Sequence, residues 1–237
     1  MSLKEALLKE YRYKTELHAH ALPVSKCSEF LPKALAETYR AVGVDSLVLT
    51  NHLTPAHVDA ESEEAFIKSY TDCYLEVKKY ARELGFTVIF SVEIRFRQNS
   101  NDYLLYGVTE ADIPFLYRAV KGGMGIDEFY RAFKRDGVVI LQAHPFRNGM
   151  EHVDSASLDG IEVLNMHPGH NSRVAIAAKR AAKEGMLISG GTDFHHPGHE
   201  GCCLMRTKTR METPQDVARV IKERDFILDL SGLIALP

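Results

Sequence analysis

Tyr13-Lys14-Thr15-Glu16-Leu17-His18-Ala19-His20-Ala21 is the stretch on which the fold turns. Residues 13–17 read as a short strand, and the chain leaves it through two histidines rather than through glycines. A doubly wound nucleotide-binding sheet needs a glycine-rich turn after its first strand, and His18-Ala19-His20 does not supply one. In an extended chain, side chains two apart point the same way, so His18 and His20 can grip one ion together.

Working outward, further strand-like runs fall at 46–50, 87–92, 103–106, 138–142, 160–164 and 186–189, short and mostly rich in Val, Ile, Leu or Tyr. Helical patterns lie between them. Pro32 suits a first helical position and Gly43 a left-handed cap, which bounds a helix at 32–42. Segment 61–84 carries Phe66, Tyr70, Cys73, Val77, Ala81 and Leu84 on one stripe. Helices are also expected at 126–135 and 171–184, with a last one opening at Thr213-Pro214-Gln215-Asp216. Strands alternating with helices predict an α/β fold with a mainly parallel sheet, and units spread over residues 1–237 without a linker predict one barrel-like domain.

Ligand-type residues sit at the ends of these strands. His18 and His20 end the first, His52 follows the second, Glu93 ends the third and His144 follows the fifth, while Asp193 and His195 follow the last. In a parallel barrel all such ends open on one face, so residues distant in sequence meet at one rim. Imidazole and carboxylate suit zinc, manganese and iron, and a carboxylate such as Glu93 can bridge two ions. Two divalent cations there could hold a hydroxide and aim it at phosphorus.

His-x-His, Thr50-Asn51-His52, Glu93, Ala143-His144-Pro145 and Gly191-Thr192-Asp193-Phe194-His195, in this order, resemble the PHP (polymerase and histidinol phosphatase) family of metal-dependent phosphoesterases. The resemblance implies a distorted (β/α)7, TIM-like barrel with its metal site at the C-terminal rim of the strands. It implies a first metal site at His18, His20, Glu93 and Asp193, with Glu93 and His144 in a second and His52 and His195 in a third. Glu93, Asp193, His52 and His195 would carry the catalysis, with His52 or His195 able to protonate the leaving group. Three departures deplete the second and third sites. Asn51 replaces the usual Asp, Ser25-Lys26-Cys27 stands where relatives carry Asp or His, and no histidine lies between Glu93 and His144.

Lys26, Arg95, Arg147 and Arg173 follow these motifs and are expected to hold a substrate phosphate, Arg through its fixed fork and Lys as a point charge. Only one of Arg95 and Arg97 should face inward. His57, His152, His196 and His199 read as loop histidines, and Cys27 as an ordinary thiol.

Of 237 residues, 29 are Lys or Arg and 32 Asp or Glu, giving a net charge of −3 that argues against a nucleic-acid partner. No run is long enough to span a membrane. Four cysteines without CxxC spacing point to reduced thiols in the cytoplasm. The expectation is a phosphatase of a small phosphorylated substrate, with histidinol phosphate the leading case. Rivals are a nucleotide phosphodiesterase or exonuclease, an amidohydrolase-type C–N hydrolase, and a non-catalytic metal-binding barrel.

Overall fold

The computed structural model describes residues 1–237. In chain order the elements are α1 (Leu3–Glu10), β1 (Tyr13–Ala19), α2 (Pro32–Val42), β2 (Ser46–Leu49), β3 (His52–Leu53), α3 (Pro55–Ala60), α4 (Glu63–Glu83), β4 (Thr87–Phe90), β5 (Val92–Arg95) and β6 (Asp102–Tyr106). There follow α5 (Ile113–Lys121), α6 (Ile126–Phe133), β7 (Val139–Gln142), β8 (Gly160–Asn165), α7 (Val174–Glu184), β9 (Leu187–Gly191), β10 (Leu204–Thr207), α8 (Pro214–Glu223), β11 (Ile227–Leu230) and β12 (Leu233–Ala235).

This is a mixed α/β fold whose ladders divide into two six-stranded sheets, β12-β11-β10-β1-β2-β4 and β3-β5-β6-β7-β8-β9. An isolated parallel bridge from Ala19 to Phe194 joins the end of β1 to the segment after β9. A cluster of 63 buried hydrophobic residues fills the space among strands and helices. No helix is long and apolar enough to cross a membrane.

The expected mainly parallel sheet needs correcting in two places. Strand β6 is antiparallel to both β5 and β7. Only residues 96–101 separate β5 from β6, and that span is too short for a parallel crossover. Strands β10 to β12, unexpected from sequence, form an antiparallel run laid against β1.

The run 87–92 is also not one strand. It breaks at Ser91, so β4 pairs with β2 in one sheet while β5 pairs with β3 in the other. The buried Tyr70 hydroxyl, on α4, donates to the carbonyls of both Asn51 and Ser91, tying the two breaks together. Just beyond them stand His52 and Glu93, directly opposite each other in register.

Helix α2 has the predicted bounds, with Gly43 at φ 75° donating its N–H to the Tyr39 and Arg40 carbonyls. Segment 61–84 contains α4, and α7 begins at Val174, after the predicted start.

Candidate functional site

Strand β1 delivers His18 and His20, both fully buried, on the same side of the chain. Strands β3 and β5 bring up His52 and Glu93, and the segment after β7 adds His144. Asp193 follows β9, which approaches β1 closely because residue 191 is glycine. A Cβ there would lie 2.6 Å from His18 Cβ. His144 and Asp193 hold φ of 31° and 57°, left-handed values that are costly for these residues and recur where a site fixes its ligands.

These side chains converge. His18 Nε2 and His20 Nε2 each lie 3.4 Å from Glu93 Oε2 and 3.4 Å from Asp193 Oδ1. Four ligand atoms set tetrahedrally at 2.0–2.1 Å from one ion are about 3.4 Å apart, so the four contacts have the spacing of a coordination shell. His18 Nε2, His20 Nε2 and Glu93 Oε2 are buried without a hydrogen-bond partner, an expensive condition unless a cation satisfies them. Around this core, His52 Nδ1 is 2.9 Å from Glu93 Oε2, His144 Nε2 is 3.2 Å from Glu93 Oε1, and His195 Nδ1 is 3.4 Å from Asp193 Oδ1. The His20 ring stacks with both His52 and His195, at 4.3 Å between centroids in each case. The residue groups able to share an ion are His18, His20 and Asp193; His20, His52 and His195; and His52, Glu93 and Asp102.

The electrostatics agree. Burial acts to raise Glu93 and Asp193, but the charge of His18, joined by His52 at Glu93 and by the His20 hydrogen bond at Asp193, holds both carboxyls well below their ordinary range. His52 is pushed to about 10, the Glu93 charge overcoming its burial. His20 moves well below normal, through burial and then the charges of His195 and His52. Buried carboxylates thus demand positive charge where the ligand atoms meet.

A second layer aims the ligands. Glu162 on β8 accepts the His18 Nδ1–H at 2.8 Å, so an ion that displaces the proton from Nε2 would meet its lone pair at the centre. Glu162 also accepts from the His144 amide at 3.0 Å and from Asn165 Nδ2 at 2.9 Å, and Asn165 Nδ2 donates to Asp193 at 3.2 Å. Ser25 Oγ lies 3.3 Å from His20 Nδ1 and donates to Asn51 Oδ1, which also accepts from the Ala21 amide at 2.8 Å. Asn51 therefore braces the first loop. Glu16, below His18, accepts from the His18 and Thr192 amides and from the Tyr39 hydroxyl; burial nonetheless lifts it to about 7.

Above the centre opens a cavity of about 490 Å³, within the usual range for small-molecule sites. Of its 16 lining residues only two are hydrophobic. Lys26, Arg95 and Arg147 line it as expected. Arg173 does not, because it caps the start of α7 and donates instead to the Phe146 carbonyl and Asn148. Of the pair two residues apart, Arg95 faces inward while Arg97 pairs with Asp59.

Sequence reasoning missed Asp102. It is 1% exposed and receives Arg95 through two hydrogen bonds of 2.7 and 2.6 Å, with Arg147 Nη2 at 3.5 Å. It reaches the rim from the N-terminal end of the antiparallel β6, and the short 96–101 interval was the available signal. Cys27 also lines the cavity. Burial raises its thiol, but hydrogen bonds with His195 and His52 bring it down to about 6. Of the supposed loop histidines, His57 and His196 line the same cavity.

No family model matches the sequence, and no curated protein matches it. Solved structures share its fold. A two-domain Bacteroides vulgatus protein containing a predicted PHP-like metal-dependent phosphoesterase superposes with a TM-score of 0.60 at 15% identity, over 91% of this chain and 64% of that one. The chain thus spans less than two thirds of that protein's length. PsfC from Pseudomonas syringae gives 0.62 at 13% identity, over 87% and 88% of the two chains. A Chromobacterium violaceum amidohydrolase, solved with sulfate and no metal, gives 0.55 at 15% identity, over 78% and 89%.

Proposed function

We propose that this protein is a metal-dependent phosphoesterase acting on a small phosphomonoester. The observation that carries the reading is the set of four 3.4 Å contacts among His18, His20, Glu93 and Asp193, buried and largely without hydrogen bonds of their own. The donor set, two imidazoles and two carboxylates, fits zinc, manganese or iron. Those four residues would hold the first ion, with His144 on the far oxygen of Glu93 and the pair His52 and His195 serving further ions. A divalent cation supplies Lewis acidity, lowering the pKa of water and neutralising charge on phosphoryl oxygens.

The remaining work falls to the chain itself. Arg95 and Arg147, both anchored on Asp102, present a guanidinium wall to an oxyanion, and exposed Lys26 adds an unpaired ammonium at the mouth. His52 and His195 line the cavity, and whichever of them is not held by an ion would be the imidazole to protonate the leaving oxygen. A cavity this polar suits a compact hydrophilic leaving group and argues against lipids. The likeness in fold to a protein containing a predicted PHP-like metal-dependent phosphoesterase supports the same reading.

The test is phosphate release from histidinol phosphate, sugar phosphates, mononucleotides and a phosphodiester, with manganese or zinc added. One monoester should turn over, and Asp193→Asn should lower that rate by at least ~100-fold while the protein stays folded. Silence across the panel from folded, metal-loaded protein would overturn the phosphatase reading, and turnover of the diester alone would reassign it to phosphodiesters.

A further inference from the structure

A second cavity, of about 330 Å³, adjoins the first, and Arg147 lines both. Asn148, His152, Arg173 and Arg180 are among the nine residues around it, and none of the nine is acidic. Arg173, expected on a substrate phosphate, thus lines this cavity rather than the first. The wall between the two is the segment after β7. It is folded into successive turns, closed by the Arg147 amide on the His144 carbonyl at 3.0 Å and the Met150 amide on the Arg147 carbonyl at 3.1 Å. Arg173, at φ 46°, pins these turns by donating to the Phe146 carbonyl and, at 2.7 Å, to Asn148 Oδ1.

The guanidiniums here outnumber their counterions. Both acceptors of Arg173 are neutral, so its charge has no partner. Arg147 reaches only Asp102, at 3.5 Å, and Arg95 already holds both oxygens of that carboxylate. Arg180 is 8% exposed; it commits Nε to Glu184 and Nη2 to the Val153 carbonyl, and Nη1 has no hydrogen-bond partner. Two further carboxylates flank His152 in sequence, but Glu151 accepts from Asn99 and Asp154 accepts from the Ala156 amide. Asn148 turns Oδ1 to Arg173, which leaves its Nδ2 to donate. Three arginines around one small cavity repel each other, and an oxyanion among them offsets that cost through charge-assisted, forked hydrogen bonds.

We propose that Arg147, Asn148, Arg173 and Arg180 form a second oxyanion site, for a phosphate or carboxylate group, beside the metal centre. Its ligand is the far end of a substrate whose phosphoryl group lies at the centre, or a free ion held next to it; Arg147, common to both cavities, touches the anion in either case. The site itself does not depend on the phosphoesterase reading, since its residues are outside the ligand set of the centre.

The first experiment titrates inorganic phosphate calorimetrically into the full chain stripped of metal. One equivalent should bind. Asn148→Asp keeps the acceptor for Arg173 and adds a negative charge to the cavity, so it should weaken binding at least ~10-fold without changing the melting temperature. Arg180→Gln should weaken it similarly, while Lys26→Ala, in the first cavity alone, should leave it unchanged. No saturable binding by the native protein overturns the site. Equal affinity in the native protein and Asn148→Asp also overturns it, as does a loss in Lys26→Ala as large as in Asn148→Asp. A second experiment rests on the phosphoesterase reading and compares monoesters with and without a terminal carboxylate or phosphate on the leaving group, using metal-loaded enzyme. If Asn148→Asp raises KM at least ~10-fold for the anion-ended substrate alone, the site holds the substrate's far end. If KM moves for neither while phosphate binding is lost, the site holds the free ion.

Discussion

Glu162 touches no expected substrate, yet it orients His18 and holds the backbone beside His144 with a single carboxylate. Glu162→Gln keeps an acceptor for His18 but turns an amide toward the His144 N–H, donor against donor. Metal affinity should fall about 10- to 100-fold, measured by calorimetric titration, and an unchanged affinity would remove Glu162 from that role. Asp102→Asn should act differently, releasing Arg95 and Arg147 from their shared anchor. On a turned-over monoester, KM should rise about 10-fold with kcat held within a few-fold, since a positioning loss falls mainly on binding. Equal loss in both constants would place Asp102 at the reacting atoms. The seven expected residues that meet at the centre were legible because each is a His, Asp or Glu at or near a strand end. Glu162 was hidden inside an apolar strand, and Asp102 because a parallel sheet was expected where the chain doubles back.

At the scale of elements, helix ends were readable wherever local chemistry decides them. Thr213 caps α8 in a reciprocal box, accepting from the Asp216 amide at 3.1 Å while Asp216 accepts from the Thr213 amide at 3.0 Å. Partial burial acts to raise Asp216, but the Thr213 hydroxyl and the Glu212 and Thr213 amides outweigh it and hold the carboxyl below its ordinary range. That lowered pKa adds stability above the unfolded-state value of about 3.9, and the gain fades as pH falls through the folded value. The melting-temperature difference between native protein and Asp216→Asn should therefore be present at pH 6 and shrink toward pH 3; a pH-independent gap would refute the linkage. Breaks within strands were not readable. Residues 87–92 look like one apolar run, and the interruption at Ser91 is imposed by distant partners, the Tyr70 hydroxyl and the Leu105 carbonyl that receives Ser91 Oγ. The C-terminal strands were missed because β10 and β11 are only four residues each and pair far along the chain.

For the whole molecule, a centre built from buried carboxylates and imidazoles couples ion binding to folding. A cation at 100 times its dissociation constant adds about 2.7 kcal/mol, which for a chain of this size shifts melting by roughly 5–10 °C. Chelation should lower the melting temperature by that amount and re-addition of zinc or manganese restore it; a fall under ~1 °C would exclude a tightly held ion. Most strand and helix segments from β1 to β9, and the start of α8, were legible because hydrophobic periodicity is local, whereas β10 to β12 were not. The division into two sheets was not, because pairing is a property of the assembled chain.

That division has a consequence for how the sequence can change over time. Strands β2 and β4 lie in one sheet, and their continuations β3 and β5, which carry His52 and Glu93, lie in the other. The Tyr70 hydroxyl is the seam between them. Mutational tolerance should split along that seam: a library at Leu47, Val48, Val88 and Ile89 would sort by expression and melting, and one at His52 and Glu93 by ion content. A scaffold jointed in this way lets selection re-aim its ligands while leaving the supporting half of each strand alone, so new chemistry need not begin with a new fold.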